Sequence, residues 1–374
     1  MSSVTASGRG VLPYQALEKM VASGAIRARN PILPEQIQPS SIDLRLGHEA
    51  YRVRASFLAA GSATVTSKLE QYRMHTVDLS RPAVLEKGCV YIVPLQEELS
   101  LPPDISGKAN PKSSTGRLDI FTRLITDEGR QFEIVPAGYK GRLYAEVVPR
   151  TFSVVVRQGE RLSQLRLFQG EYRPSDQLLR NLESVEALVF HPDESRAEAE
   201  IQNGLRLSVD LEGIDGSPVI GYRARRNAPL VDLARIQYYD PTEFWEPIHR
   251  SQSKTLILDT EDFYILASRE KVRIPAMYAA EMVPYDPTIG EFRIHYAGFF
   301  DPGFGYGSAG EISGTRAVLE VRSHEVPFIM EDGQVVASLV FEELLERPRV
   351  LYGEGIGSSY QRQGLKLSKH FKTN

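Results

Sequence analysis

The sequence predicts a mainly β chain made of two tandem copies of one distorted β-barrel domain, with a few short helices. Three observations carry this. Short apolar runs rich in Val, Ile, Leu, Tyr and Phe sit between clusters of Pro, Gly, Asp and Ser. The 29 Gly and 23 Pro supply enough turn residues to punctuate many strands. The third is an internal repeat. Leu85, Tyr91, Ile92 and Leu101-Pro102 recur as Leu258, Tyr264, Ile265 and Ile274-Pro275, each 173 residues later. Thr115-Gly116-Arg117-Leu118-Asp119-Ile120 then faces Ile289-Gly290-Glu291-Phe292-Arg293-Ile294. Gly159, with a strand ending at Phe168, faces Gly333, with a strand ending at Phe341. Chance similarity would not hold register over roughly 80 residues with one single-residue slip.

In chain order, residues 1–12 read as a flexible arm and residues 13–171 as the first copy. It opens with a helix from Pro13 to Gly24, because Leu17, Met20 and Val21 recur at helical spacing and Gly24 suits the C′ position. Strands follow at Ser41–Leu46, Cys89–Pro94, Arg142–Val148, Phe152–Val156 and Leu162–Phe168. The polar, charged stretch 172–205 reads as a linker. The second copy covers 206–350, and 351–374 is a glycine-rich tail. The total of 374 residues agrees with about two domains at roughly 100–200 residues each.

Composition narrows the function classes. Apolar residues are 42% and charged residues 25%, so a sizeable core is expected. A net charge of −4 argues against general binding to nucleic acid polymers or anionic membranes, and leaves anion sites to local clusters. The lone Cys89 excludes an internal disulfide and any zinc site with two thiolates, and fits a reducing cytoplasm. No apolar run approaches 18 residues, and Met1–Gly10 has no apolar signal core, so neither a membrane span nor a secretory signal is expected. The seven histidines show no ligand spacing. Walker, Rossmann, zincin and nucleophile-elbow motifs are absent.

Four segments carry chemistry. In Gln38–Gly47, Ile42, Leu44 and Leu46 share one strand face and Asp43 and Arg45 the other, as in an ordinary strand with a polar face. In Pro111-Lys112-Ser113-Ser114-Thr115-Gly116-Arg117-Leu118, two cations, three hydroxyls and a glycine suit a phosphate, or equally an exposed turn. In Gly138–Val148, alternation puts Arg142, Tyr144, Glu146 and Val148 on one face and Leu143, Ala145 and Val147 toward the core. Glu146 is then either an acid/base carboxylate beside Tyr and Val or a surface glutamate paired with Arg142. The tail Tyr352–Gly364, with alternate glycines and Ser, Tyr, Gln and Arg donors, is either a lid or a frayed end.

In this order the segments resemble the dCTP deaminase family, relatives of the trimeric dUTPases, in its longer two-domain bacterial form. Lys112-Ser113-Ser114-Thr115-Gly116-Arg117-Leu118 resembles the R-S-S-x-x-R-L motif, with Lys for the first Arg. Gly141 followed by Glu146 resembles the catalytic-glutamate strand, and Ser163-Gln164-Leu165 the closing strand. Ser359-Tyr360-Gln361-Arg362-Gln363-Gly364 resembles the K-Y-x-x-Q clamp, with Ser for Lys. The second copy keeps the D-P-G loop at Asp301-Pro302-Gly303 and has Glu320 on the following strand. The first has Val135-Pro136-Ala137-Gly138 in place of that loop, and the second has Asp286–Glu291 in place of the Ser/Arg motif.

The resemblance implies two dUTPase-like (β-clip) domains and deamination of dCTP to dUTP without zinc. It implies Glu146 as general base and proton shuttle, Ser113 holding the water or the intermediate, and Arg117 orienting Glu146. Lys112, Ser114, Asp301, Gly303, Tyr360, Arg362 and Gln363 would bind the nucleotide, with Mg²⁺ carried by the triphosphate and no metal held by the protein. It also implies a homo-oligomer, in first place a trimer. A dUTP diphosphatase, a bifunctional deaminase/diphosphatase and a non-catalytic nucleotide-binding assembly protein are the alternatives.

Overall fold

Alternating apolar residues and frequent turns fold the chain into antiparallel sheets, and the repeat organises them. The computed structural model describes residues 8–171, 174–214, 216–284, 292–294, 298–323, 325–353 and 360–373. Two compact units are present. The first comprises Met1–Tyr172, Pro229–Ile236 and Leu344–Arg349, and the second Arg173–Ala228, Gln237–Glu343 and Val350–Asn374.

In the first unit one sheet runs in the order Arg73–Asp78, Glu49–Val53, Val90–Ser100, Lys140–Pro149, Ile120–Thr126, with Ile26–Ala28 also on Val90–Ser100. A second sheet runs Gly10–Val11, Arg161–Gln169, Ile105–Pro111, Ile134–Val135, with Ile42–Arg45 on Arg161–Gln169. The second unit repeats this plan. Its larger sheet runs Trp245–His249, Val219–Ala224, Tyr264–Val272, Thr315–Ser323, Phe292–Ile294. Its smaller sheet runs Leu205–Ser208, Val335–Glu343, Tyr278–Pro284, Phe299–Phe300.

The repeat extends to single hydrogen bonds. The buried Tyr91 hydroxyl accepts the backbone N–H of Glu86 at 3.1 Å, and the buried Tyr264 hydroxyl accepts that of Asp259 at 2.9 Å. Each tyrosine thus buries its ring and satisfies its polar end at the same turn. The stretch Ile289–Glu291 in the repeat, and with it all of Asp286–Glu291, lies outside the described residues.

The domain boundaries need correction at four places. Residues 10–12 are not part of a flexible arm. Gly10–Val11 pair with Gln169 and Phe168, and Val11 and Leu12 are buried, because their apolar side chains complete the smaller sheet. The stretch 172–205 is not a linker in its described part. Helix Asp176–Val185, capped by Ser175, places Leu179 in the core of the second unit with Leu188 and Val189. Residues 229–236 belong with the first unit, since Val231–Asp232 lies parallel to Val154–Val156 and Asp232 takes both guanidinium ends of Arg157 at 2.5 and 2.9 Å. Residues 344–349 join it too, through the Val11–Leu344 bridge and Gln15 bonded to Arg347 and Arg349. The first helix spans Tyr14–Ala22, within the expected range. A helix at Val65–Tyr72 is additional to those expected.

Candidate active site

The Ser/Arg segment starts where strand Ile105–Pro111 ends. Proline closes the ladder, and Ser113–Gly116 wind into one helical turn, with the N–H of Gly116 donating to Lys112 O at 3.0 Å and that of Arg117 to Ser113 O at 3.0 Å. Asp119 then takes the left-handed conformation (φ 55°), which Asp tolerates better than most residues. Its carboxylate accepts the Thr151 hydroxyl at 2.6 Å and its carbonyl the Arg150 N–H at 2.9 Å. This reversal sends the chain into strand Ile120–Thr126.

Ser114 and Arg117 are buried beside this turn, and Lys112 and Ser113 are half-buried. Lys112 is ion-paired to Asp43. Asp43 is 2% exposed, has Arg161 at 3.7 Å, and keeps Oδ1 buried without a hydrogen bond. Its neighbour Arg45 is also buried, with Nε on Glu97 at 2.8 Å. The expected polar face of strand Ile42–Arg45 is therefore a row of internal ion pairs, since this strand packs on both faces. Sequence reasoning does not place Asp43 beside the site. Its register opposite Gln164, itself opposite Asn110, brings it next to Lys112.

Glu146 sits on an interior strand of the larger sheet, opposite Ile92 on one side and Arg123 on the other. It is 1% exposed. Its Oε1 accepts two hydrogen bonds from Arg123, from Nε at 3.0 Å and Nη2 at 2.6 Å, while Oε2 is buried without a partner. The expected orienting bond from Arg117 is thus replaced by Arg123, because register puts Arg123 directly across the ladder. Arg142 pairs with Glu98 at 3.4 Å on the exposed end of the strand, and a bulge between Arg142 and Tyr144 breaks strict alternation there. The reading of Glu146 as a surface residue paired with Arg142 does not hold.

The face bearing Glu146 is covered. Helix Val65–Tyr72 is capped by the Thr64 side chain, and its first N–H donates to Asp127 at 2.7 Å. Val65 and Leu69, four residues apart, point at the sheet and pack with Val53, Ala59, Ile92, Ile125 and Tyr144. Phe57 and Phe132 close the edge of this cluster. From residue 143 to 149 both faces of strand Lys140–Pro149 are therefore buried, not one.

In the second unit, Asp301 is buried at the start of a tight turn in which the Phe304 N–H donates to Asp301 O at 3.1 Å. Gly303 has φ +97°, and a Cβ there would lie 2.9 Å from Tyr352 N, so this close approach requires glycine. The first unit builds the same turn, Tyr139 N–H to Pro136 O at 3.2 Å, without the carboxylate.

The tail is anchored where it is described. Gln361 donates to Gly303 O and accepts from the Gly305 N–H, both at 2.9 Å. Tyr360 is buried, and Gln363 donates to Arg316 O at 3.1 Å. Phe371 packs on Tyr239, Phe244 and Trp245. The expectation of a mobile lid is narrowed accordingly, and Ser359 lies outside the described residues. Exposed Arg362 lines a polar cavity of about 270 Å³ with Gln363, Lys271, Thr315 and Arg316. Among the described residues no group of three or more His, Cys, Asp or Glu is arranged to hold a metal ion, and no helix is long and apolar enough to cross a membrane.

Residues 8–171 match the family model for the 2'-deoxycytidine 5'-triphosphate deaminase N-terminal domain, and residues 175–371 the model for its C-terminal domain. A dCTP deaminase of Natronomonas pharaonis is 29% identical over 132 residues, 35% of this chain and 65% of that protein. The chain thus spans just under two thirds of that relative. A "dCTP deaminase, dUMP-forming" of Thermobifida fusca is 27% identical over 160 residues, 42% of this chain and 78% of that protein. The crystal structure of 2'-deoxycytidine 5'-triphosphate deaminase from Agrobacterium tumefaciens is 49% identical, with a TM-score of 0.85, over 91% of this chain and 100% of that one. With one family domain matched in each half, the chain belongs to the dCTP deaminase family.

Proposed function

We propose that this protein hydrolyses dCTP to dUTP and ammonia, with Glu146 as general base and proton shuttle. The observation that supports it is the carboxylate itself. Glu146 is buried, held through Oε1 alone, and keeps Oε2 without a partner.

In this reading Oε2 takes a proton from water as the oxygen adds to C4 of cytosine. That proton passes to N3, and a second from the new hydroxyl passes to the exocyclic amine. Ammonia leaves, the C4 carbonyl forms and the carboxylate is restored. The Ser113 hydroxyl would hold the water or the tetrahedral intermediate, and Arg117 would balance the developing charge. Lys112, Ser114, Asp301, Gly303, Tyr360, Arg362 and Gln363 are proposed nucleotide contacts. Mg²⁺ would arrive on the triphosphate as part of the substrate. A homo-oligomer, in first place a trimer, working in the cytoplasm belongs to the same proposal.

A second reading has dUMP as product. The name of the Thermobifida fusca relative favours it, as does retention of Asp301. Chromatography of the products separates the two: dUTP with ammonia, or dUMP with ammonia and pyrophosphate. Glu146→Gln tests the shared step. It should bind dCTP and release ammonia at least about 100-fold more slowly, and near-parental turnover would sink the assignment.

A further inference from the structure

We infer that Arg123 is the positioning residue for Glu146, and that its aromatic setting exists to hold it there. The inference rests on Glu146 being the base.

Both donors of Arg123 reach the same oxygen, Oε1. Two bonds converging on one oxygen pin Oε1 and leave the lone pairs of Oε2 unused. The guanidinium is itself fixed. Its carbon lies 3.4 Å from the centroid of the Phe132 ring and 4.7 Å from that of Phe121. Nη2 also donates to the Ser56 hydroxyl at 3.0 Å. Phe121 is two residues away on the same strand, Phe132 is on the returning loop, and Ser56 precedes the segment that covers the sheet. Three separate pieces of chain therefore converge on one guanidinium.

This is more than an ion pair for stability. A buried pair is often no better for stability than apolar residues of the same volume, so its energetic value alone does not explain such a setting. Arginine is also specific here. Its planar fork stacks on a ring and donates twice in one plane, whereas an ammonium keeps the charge and loses the fork. The Arg123 side chain is 25% exposed against 1% for Glu146, so it is the edge of the pair that meets solvent. A catalytic group displaced by about 1 Å loses on the order of a hundredfold in rate.

The test compares Arg123→Met, Arg123→Lys and Glu146→Gln in the full-length protein by ammonia release and dCTP binding. Arg123→Met should lower kcat about 100-fold and leave KM for dCTP within about threefold, with added methylguanidine restoring part of kcat. Arg123→Lys, which keeps the stem and the charge, should fall between the parent and Arg123→Met. Parental kcat in both Arg123 variants, or equal losses in kcat and KM without methylguanidine rescue, overturns the positioning role. Near-parental turnover by Glu146→Gln overturns instead the reading beneath it, so the two failures are distinguishable.

Discussion

Glu146 in the first unit and Glu320 in the second occupy equivalent places in the larger sheets of their units. Glu146 lies opposite Ile92, and Glu320 opposite Ile265, the repeat partner of Ile92. Both are buried. Their surroundings differ through the connecting segment that leaves a neighbouring strand of each sheet. In the first unit, residues 54–72 fold back and lay Phe57, Val65 and Leu69 over the glutamate face. In the second, the corresponding residues 225–244 run instead through Val231–Asp232, grouped with the first unit, to the short helix Pro241–Phe244. Phe244 packs there with Tyr239 and Phe371. Duplication thus copied the ladder and the buried carboxylate, while the connecting segment took a different course in each unit.

The largest effect that could break this comparison is catalytic. Glu146→Gln should reduce ammonia release by a factor on the order of 10²–10⁴, the usual scale of general acid–base catalysis. Glu320→Gln should stay within about threefold of the parent. Equal loss in both variants, measured side by side, would make the two glutamates functional equivalents.

The next effect is on stability, and here the units should behave alike. Each holds a buried arginine–carboxylate pair: Arg45 with Glu97 and Arg316 with Asp210, both at 2.8 Å. Arg45→Met and Arg316→Met each strand a buried charge and should cost about 3–5 kcal/mol in denaturant unfolding. A smaller version of the same symmetry is carried by the tyrosines. Tyr91→Phe and Tyr264→Phe each leave one backbone N–H without its hydroxyl acceptor, and each should cost about 1–3 kcal/mol. A difference above about 1 kcal/mol between the two tyrosine variants would mark where the copies have diverged energetically.

The smallest effect is in pH dependence, and it separates the two D-P-G-type turns. Beside the first, burial pushes the Tyr139 hydroxyl up to about 12. Its contribution to stability is complete below pH 10 and is lost as pH rises toward 12, because the folded state favours the neutral phenol. Beside the second, backbone N–H groups of Ala309 and Ser308 lower the Glu311 carboxyl to about 2. Its contribution is complete above the ordinary carboxylate value of 4.5 and is lost as pH falls toward 2. Unfolding midpoints against pH should therefore flatten at the alkaline end in Tyr139→Phe and at the acid end in Glu311→Gln. Unchanged slopes at those ends would remove the assigned groups.

Much of the molecule is legible in its sequence. Alternation and turn residues mark the strands at Ser41–Leu46 and Arg142–Val148 within a residue or two. The repeat is legible because apolar and tyrosine positions must keep their spacing for the same ladder to form. The motif order from Lys112 to Glu146 identifies the family. These are local properties: side chains alternate across a strand, and a turn needs particular residues within four positions.

The class of fold, its duplication and the glutamate of the family's strand motif are thus written in the chain. The partners are not; they emerge only on folding. Arg123 meets Glu146 across 23 residues and Asp43 meets Lys112 across 69, and both meetings are set by strand register. Folding also makes the polar face of Ile42–Arg45 and the Tyr144–Val148 part of the Glu146 face internal, since alternation distinguishes two faces but not whether a second layer covers one of them. Finally, it assigns 229–236 and 344–349 to the first unit and anchors the end of the tail through Phe371. Each of these is a contact between distant segments, and local residue preference carries no information about which distant segment arrives.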